Sequence, residues 1–418
     1  MILQTYKKRI IKNFFSLSLL EGINYLIPLL TLPYLVRILG PAKYGLIYFA
    51  QAFATFFVIA VDYGFYLSGP RKISINRDNL QETERIFNRI MGTKLLLMIF
   101  YSIIYFTFVF TVKKFSENRL VFFISYGAVL GDYFFPAWFF QGMEKMGIIT
   151  ILYFLAKIFF LITVFTFIRS PADYIYVPLF LHLGVIIAGM VSLYIIYTQY
   201  KIKISVPALR EIKQEIIEGF HYFFVTISTN SIMNMGPFIL GLFTNEVYVG
   251  YYTAAEKLIR AVQRLLWAAS QSVYPHINRL FFKSTEAGLN FVRKFMVIFN
   301  GGFLVISVLL FLLAELIINF MLGKQYSQSL VVLKILSLLP FLISLNNIIG
   351  IQTMISFNMI KTYAKIMLTA GVLNLLLALL MANGYKHIGI ALVAVMTELF
   401  IIIIGFFCLR KNRVNLVF

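Results

Sequence analysis

Roughly twelve apolar stretches of about 20 residues, separated by short polar turns, constrain this chain more than any other feature. Repeated so often, runs of that length have to dissolve in lipid, where a helix satisfies every backbone hydrogen bond internally. The balance of 60% hydrophobic to 13% charged residues agrees. The spans lie near 14–39, 44–67, 86–112, 120–140, 148–168 and 174–198, then 216–243, 247–273, 291–313, 330–357, 363–381 and 388–409. The expected fold is all-α: a polytopic membrane protein of about twelve transmembrane helices in two pseudo-symmetric six-helix lobes, residues 1–200 and 216–418, joined by a polar cytoplasmic linker at 201–215. No loop is long enough to hold a soluble domain.

The halves look duplicated. Gly40 and Pro41 end the first apolar helix, and the turn through Ala42, Lys43, Tyr44 and Gly45 leads directly into the second. A weaker copy recurs at Thr244, Asn245 and Glu246. Setting Gly45 on Gly250 also places Gln51 on Glu256 and Pro70 on Pro275, a shift of about two hundred residues of the kind transporter repeats show. The basic start, Met1 to Lys12, leads into an apolar helix without a small-residue cleavage site, so a retained first span is expected. The single cysteine, Cys408, excludes an internal disulfide and a cysteine metal cage.

Orientation follows from lysine and arginine. The N-terminus, the even-numbered loops and the C-terminus carry roughly 23 of them against about 7 in the odd-numbered loops, so both termini are expected in the cytoplasm. The net charge of +20 is then mostly topology, with attraction to anionic membrane lipids as a by-product. Nucleic acid is not an expected partner, because the cations are divided among membrane-adjacent loops instead of forming one patch.

Charge inside the spans needs a different reason, since each such group costs a few kcal/mol even on lenient insertion scales. At about 100° per residue, Lys257, Arg260, Arg264 and Gln271 share an arc of roughly 60° on the eighth span, running from the cytosolic side towards the midplane. Glu256 borders this stripe and can pair with Arg260 at i,i+4. The stripe reads either as an anion-attracting cavity wall or as a closed ion-pair network with snorkelling ends. The corresponding Ala52, Thr55 and Ile59 of the second span are uncharged, so any such handle belongs to the C-terminal half alone. Lys157 and Arg37 are further cationic candidates for substrate binding, and Glu256, Asp62 and Glu21 are candidates for ion coupling. Lys94, Asp132 and Glu398 are also charged within spans, with interface solvation an equally good account of Asp62, Lys94 and Arg37 near span ends.

Asn24, Asn230, Asn234, Asn346, Asn347, Gln352 and Asn374 lie in apolar helices, where interhelical hydrogen bonds are their commoner role and cavity lining the rarer one. His182 and His221 have no second ligand at helical spacing, so no metal site is expected, and nothing in the chain points to a catalytic residue or a cofactor. Aromatic stacking on sugars is open to a few residues, such as Trp138 and Trp267.

Several segments resemble the Wzx-type O-antigen flippases, polysaccharide transporters of the multidrug/oligosaccharidyl-lipid/polysaccharide exporter superfamily. They are Leu32-Pro33-Tyr34-Leu35-Val36-Arg37, Leu39-Gly40-Pro41 with Tyr44-Gly45-Leu46, Phe49-Ala50-Gln51-Ala52, Asp62-Tyr63-Gly64-Phe65 and Ile75-Asn76-Arg77-Asp78. Pro136, Trp138-Phe139-Phe140-Gln141-Gly142, Glu144 and Met146 continue the likeness. It returns as Val249-Gly250-Tyr251-Tyr252, Ala255-Glu256-Lys257, Tyr274-Pro275, Gly323 with Tyr326, and Leu345-Asn346-Asn347 to Gly350-Ile351-Gln352. The resemblance implies a MATE-like arrangement of two lobes around a central cavity that alternates its access, in a bacterial inner membrane. It implies a cargo of undecaprenyl-pyrophosphate carrying one oligosaccharide repeat unit, moved from the cytoplasmic to the periplasmic leaflet, and a polysaccharide polymerase and a chain-length regulator as partners. A pyrophosphate needs cationic company inside a membrane, which the stripe at Lys257, Arg260 and Arg264 would supply. A multidrug exporter of the same superfamily would be expected to favour acidic cavity residues. An O-antigen polymerase or membrane glycosyltransferase would need a sizeable periplasmic loop with catalytic side chains, and the odd-numbered loops here are short.

Overall fold

In a computed structural model of the chain, backbone is described for residues 2–357, 359–412, 414 and 416, and the side chains among them from residue 27 onwards except 225 and 227–234. Every regular element among the described residues is helical. Among the described residues, eight helices are long and apolar enough to cross a membrane. Two of these are double-length: Ile27–Asn76, of 50 residues, and Ile360–Lys411, of 52. Non-helical backbone interrupts them at Gly40 (φ 68°, ψ 170°) and at Lys386 (φ 52°, ψ −133°). Leu209–Phe243 and Glu246–Lys283, with 35 and 38 residues, also have spanning length. Counting each double helix as two crossings gives the expected twelve.

Contacts divide the chain into two units: Met1–Leu39 with Leu46–Asn230, and Gly40–Gly45 with Ser231–Phe418. The first unit is organised by packing between its signature segments. Helix Phe65–Asn76 lies against the short helix Ala137–Gly142, and both supply its core through Phe65, Ile73, Trp138, Phe139 and Phe140. Small residues permit that approach: a β-carbon at Gly69 would sit 2.7 Å from the Trp138 ring, and one at Gly142 would sit 2.5 Å from Ile73. Arg77 closes the pair with a 2.8 Å ion pair to Glu144. Trp138 is therefore a core residue, 3% exposed, and not a platform for sugars.

Residues 201–215 run along the first unit. Lys203 donates its N–H to Glu84 at 2.9 Å, and the Asn88 amide donates to the Lys203 carbonyl at 2.8 Å. Arg85 holds Glu211 through two hydrogen bonds, at 3.0 and 2.8 Å. Glu215, nearly fully buried, pairs with Lys72 and with Arg89. A segment whose composition marks it as a loop is thereby fixed to Phe65–Asn76 and Leu80–Thr111 by a lattice of ion pairs.

The second unit contains the turn at Gly40–Gly45, whose residues dock on the start of helix Glu246–Lys283. An added β-carbon at Gly45 would fall 1.8 Å from the Glu246 carbonyl oxygen, and one at Gly250 would fall 2.1 Å from that of Pro41. Backbone meets backbone, so only glycine fits at either place. The two glycines that the internal repeat superposes thus pack against each other. Tyr44 is buried beside them, its ring edge-on to Tyr326 at 6.4 Å. Deeper in this unit, Ser270 donates to Asn347 at 2.8 Å and accepts from the Gln352 amide at 3.0 Å, on a π-helical turn spanning Ile348–Ile355. Such turns recur at sites where a helix must present polar groups out of register.

Candidate functional site

Helix Glu246–Lys283 starts on an Asn245 cap, whose side chain accepts from the Tyr248 N–H at 3.3 Å, with Glu246 in its positively polarised first turn. From that start, four-residue steps carry Tyr252, Glu256 and Arg260 along one face. The Arg260 guanidinium meets Glu256 at 2.9 Å, and the Tyr252 hydroxyl lies 3.4 Å from the same carboxylate oxygen. All three line a cavity of about 120 Å³ within the second unit, together with Gln263, Asn374, Thr397 and Glu398. Across it the Asn346 amide donates to Glu398 at 2.9 Å, and Asn374 donates to Thr397 at 2.9 Å. The cavity wall is thus one guanidinium, two carboxylates and several amides and hydroxyls, in a helix assembly otherwise faced with aliphatic and aromatic groups.

Of the stripe read on this helix, the structure brings Arg260 and its neighbour Glu256 into the cavity wall. Lys257 is half-buried beside them outside that wall, whereas Arg264 and Gln271 are exposed further along the helix. Lys157 is half-buried on helix Met146–Phe167, and Arg37 is exposed just before the Gly40 bend. The Glu21 side chain, like those of Asn24, Asn230 and Asn234, lies outside the described residues. Asn346, Asn347, Gln352 and Asn374 all make side-chain hydrogen bonds between segments, and Asn374 also lines the cavity. Glu398 was visible in the sequence as a carboxylate in the last span, but nothing linear shows that it shares a cavity with Glu256.

The first unit holds a second polar centre. Lys94, only 1% exposed, donates to Asp132 at 2.8 Å and to Asp62 at 3.3 Å, joining three spans. Interface solvation, an equal reading for Asp62 and Lys94 from the sequence, is replaced here by an ion-paired triad in which Lys94 and Asp62 are buried and Asp132 is half-exposed. Burying an ammonium is sustainable because two carboxylates face it, and both border a cavity of about 290 Å³ lined also by Tyr66 and Thr226. Three charges in three separate spans were the available signal, but helical periodicity relates residues only within one span. Among the described residues, no cluster of three histidine, cysteine or carboxylate side chains has the geometry of a metal site.

Comparisons with known proteins place this architecture. Residues 10–281 match a family model described as polysaccharide biosynthesis protein. Two proteins named "Putative O-antigen transporter" align along nearly the whole chain. The one from Escherichia coli (strain K12) is 30% identical, over 98% of this chain and 99% of its own length. The one from Shigella dysenteriae is 28% identical, over 94% and 98%. Among solved structures, the lipid II flippase MurJ in an inward closed conformation superposes with a TM-score of 0.72 at 14% identity, covering 96% of this chain and 87% of that one. An inward-facing multidrug resistance MATE family transporter of the MOP superfamily gives 0.67 at 13% identity, covering 96% and 99%. The fold is thus that of the MurJ and MATE transporters, and the chain belongs to the polysaccharide biosynthesis protein family.

Proposed function

We propose that this protein is a flippase that carries undecaprenyl-pyrophosphate-linked oligosaccharide repeat units from the cytoplasmic to the periplasmic leaflet of a bacterial inner membrane by alternating access, with both termini cytoplasmic. The observation that carries the reading is Arg260, a guanidinium held by Glu256 in the wall of a cavity among apolar spans. An arginine so placed offers a planar fork of donors that matches phosphate oxygens, and Lys257 one residue away adds a point charge. Arg264 extends the positive face along the same helix towards the side where cargo enters. Near-complete alignment with proteins named as O-antigen transporters supports this substrate class.

Glu256 ties the cargo site to a titratable group, because a proton or sodium ion on that carboxylate changes how firmly Arg260 is held. Glu398 is a second carboxylate of the same cavity, and it is the observation that favours a multidrug exporter as the alternative. Deletion of the gene separates these readings. A flippase is expected to leave lipid-linked repeat units accumulated on the cytoplasmic side, measured with radiolabelled sugar, whereas a drug exporter would change drug susceptibility and leave that pool alone. A Lys257→Ala, Arg260→Ala double variant, inserted at normal levels, should fail to clear the pool; normal clearance would remove these two residues from the cargo site.

A further inference from the structure

A third cavity, of about 590 Å³, lies in the second unit where residues 245–248 meet Gln328 and the bend at 384–388. On the proposed topology these are periplasmic loops, at the end of the unit remote from the cargo's entry. Its lining has a chemistry unlike that of the Glu256–Arg260 cavity. Among the described residues no carboxylate lines it; instead Asn245, Gln328 and Lys386 bring exposed amides and an ammonium, and Tyr248, Tyr251, Tyr385 and His387 bring rings.

The wall is braced. His387 is 4% exposed and stacks on Tyr248 at 5.1 Å, and Tyr251 packs on the same imidazole at 5.7 Å. Lys386 donates to the Tyr248 hydroxyl at 2.9 Å and sits 4.7 Å over its ring. To reach that position Lys386 adopts φ 52°, ψ −133°, a backbone region that a lysine occupies only when its surroundings impose it. The Gln328 backbone approaches the imidazole, and among the described residues no side chain hydrogen-bonds to either ring nitrogen of His387. His387 is thereby a buried, fixed part of the wall that sets the rings of Tyr248 and Tyr251. Tyr385, 64% exposed, presents its ring to the cavity mouth.

From this geometry we infer a binding site for the sugar moiety of the cargo, a pyranose oligosaccharide, neutral or acidic, held as it leaves the transporter. Pyranose rings have one face of C–H groups that packs on an aromatic ring, here Tyr385, and a rim of hydroxyls that takes donors and acceptors from Asn245, Gln328 and Lys386. The absence of a lining carboxylate disfavours cationic ligands, and the single ammonium tolerates an acidic sugar. The inference rests on the proposed flippase reading and adds to it a second point of contact, one that recognises sugar instead of pyrophosphate.

The test uses the full chain in lipid nanodiscs and, as probe, the repeat-unit oligosaccharide released by mild acid from the lipid-linked pool of the native host. Saturation-transfer NMR is expected to show the free oligosaccharide binding wild type. Affinity should fall by about tenfold in Tyr385→Ala, should be kept in Tyr385→Phe, and should fall again with Gln328→Ala. Tyr385 and Gln328 are exposed, so these changes leave the fold in place. Arg260→Ala should retain oligosaccharide binding while losing export. Equal binding by wild type and Tyr385→Ala, or none by a wild type that clears lipid-linked units in cells, overturns this site and leaves the flippase reading standing. A deletion strain without accumulated lipid-linked units overturns the flippase reading itself, and the site with it.

Discussion

Lys94 shows how a single side chain can be read wrongly from position alone. Near the end of its span it could reach water, yet it points inward to Asp62 and Asp132, because two carboxylates from neighbouring helices stabilise it better than a strained path to the interface. Removing it leaves the buried Asp62 carboxylate facing that of Asp132 with no cation between them. Lys94→Met should therefore destabilise the protein by about 3–5 kcal/mol, read as a lower unfolding temperature in detergent. Adding Asp62→Asn and Asp132→Asn should recover most of that loss, and a triple variant no more stable than Lys94→Met would show that the triad is not what holds these spans. The paired glycines obey the opposite logic, steric instead of electrostatic. Gly45→Ala and Gly250→Ala each drive a methyl into a carbonyl oxygen of the facing backbone, which cannot rotate away. A loss of at least about 1–3 kcal/mol is expected for each, seen as reduced protein in the membrane at unchanged transcript level. The double variant should fall short of the sum, because one contact is broken twice.

Elements in this protein are shaped by where they bend. Gly40 and Lys386 both carry positive φ inside helices of double length; the glycine does so without steric penalty, whereas the lysine is held by its contacts with Tyr248. Helix Glu246–Lys283 stays continuous through Pro275 and aligns Tyr252, Glu256 and Arg260 on the cavity. Residues 201–208 form no regular element and are fixed by their hydrogen bonds to the first unit's helices, whereas 209–215 open helix Leu209–Phe243 and carry the ion-paired Glu211 and Glu215. Hydrogen bonds from Arg85 and from the Ala208 N–H hold the Glu211 carboxyl below its ordinary value of about 4.3. A depressed carboxyl contributes its stabilisation at neutral pH and loses it as pH falls through the depressed value, so this strap should be indifferent to pH between 6 and 8 and loosen only in acid below about pH 4. Limited proteolysis across 201–210 would read that change. Glu215→Gln, which weakens the pairs with Lys72 and Arg89, should expose the same segment at neutral pH; equal cleavage of the variant and wild type would mean that these pairs do not fix it.

At the scale of the whole molecule, class, span count and duplication were legible in the sequence for one physical reason. A lipid-spanning helix must be apolar over about 20 residues whatever it packs against, so its signature is local and repeats with each crossing. The motif likeness was local in the same sense, and some of its segments prove to be contact partners: Arg77 on Glu144, and Gly45 on Gly250. Helical spacing also found the pairing of Glu256 with Arg260, since i and i+4 are neighbours in any helix. Arg264 and Gln271 share that arc but lie exposed beyond the cavity wall, because a shared arc places residues on one face without saying how far along it a cavity extends. What no reading of the chain supplied was every site assembled from distant segments. The Asp62–Lys94–Asp132 triad, the meeting of Glu398 with Glu256 in one cavity, and the ring-lined pocket around His387 each join residues from separate spans. The apolar pattern that sends a helix into the membrane leaves its rotation and its neighbours undetermined. Those were decided by tertiary packing, through which glycines let backbones touch and which buried charges could find a partner.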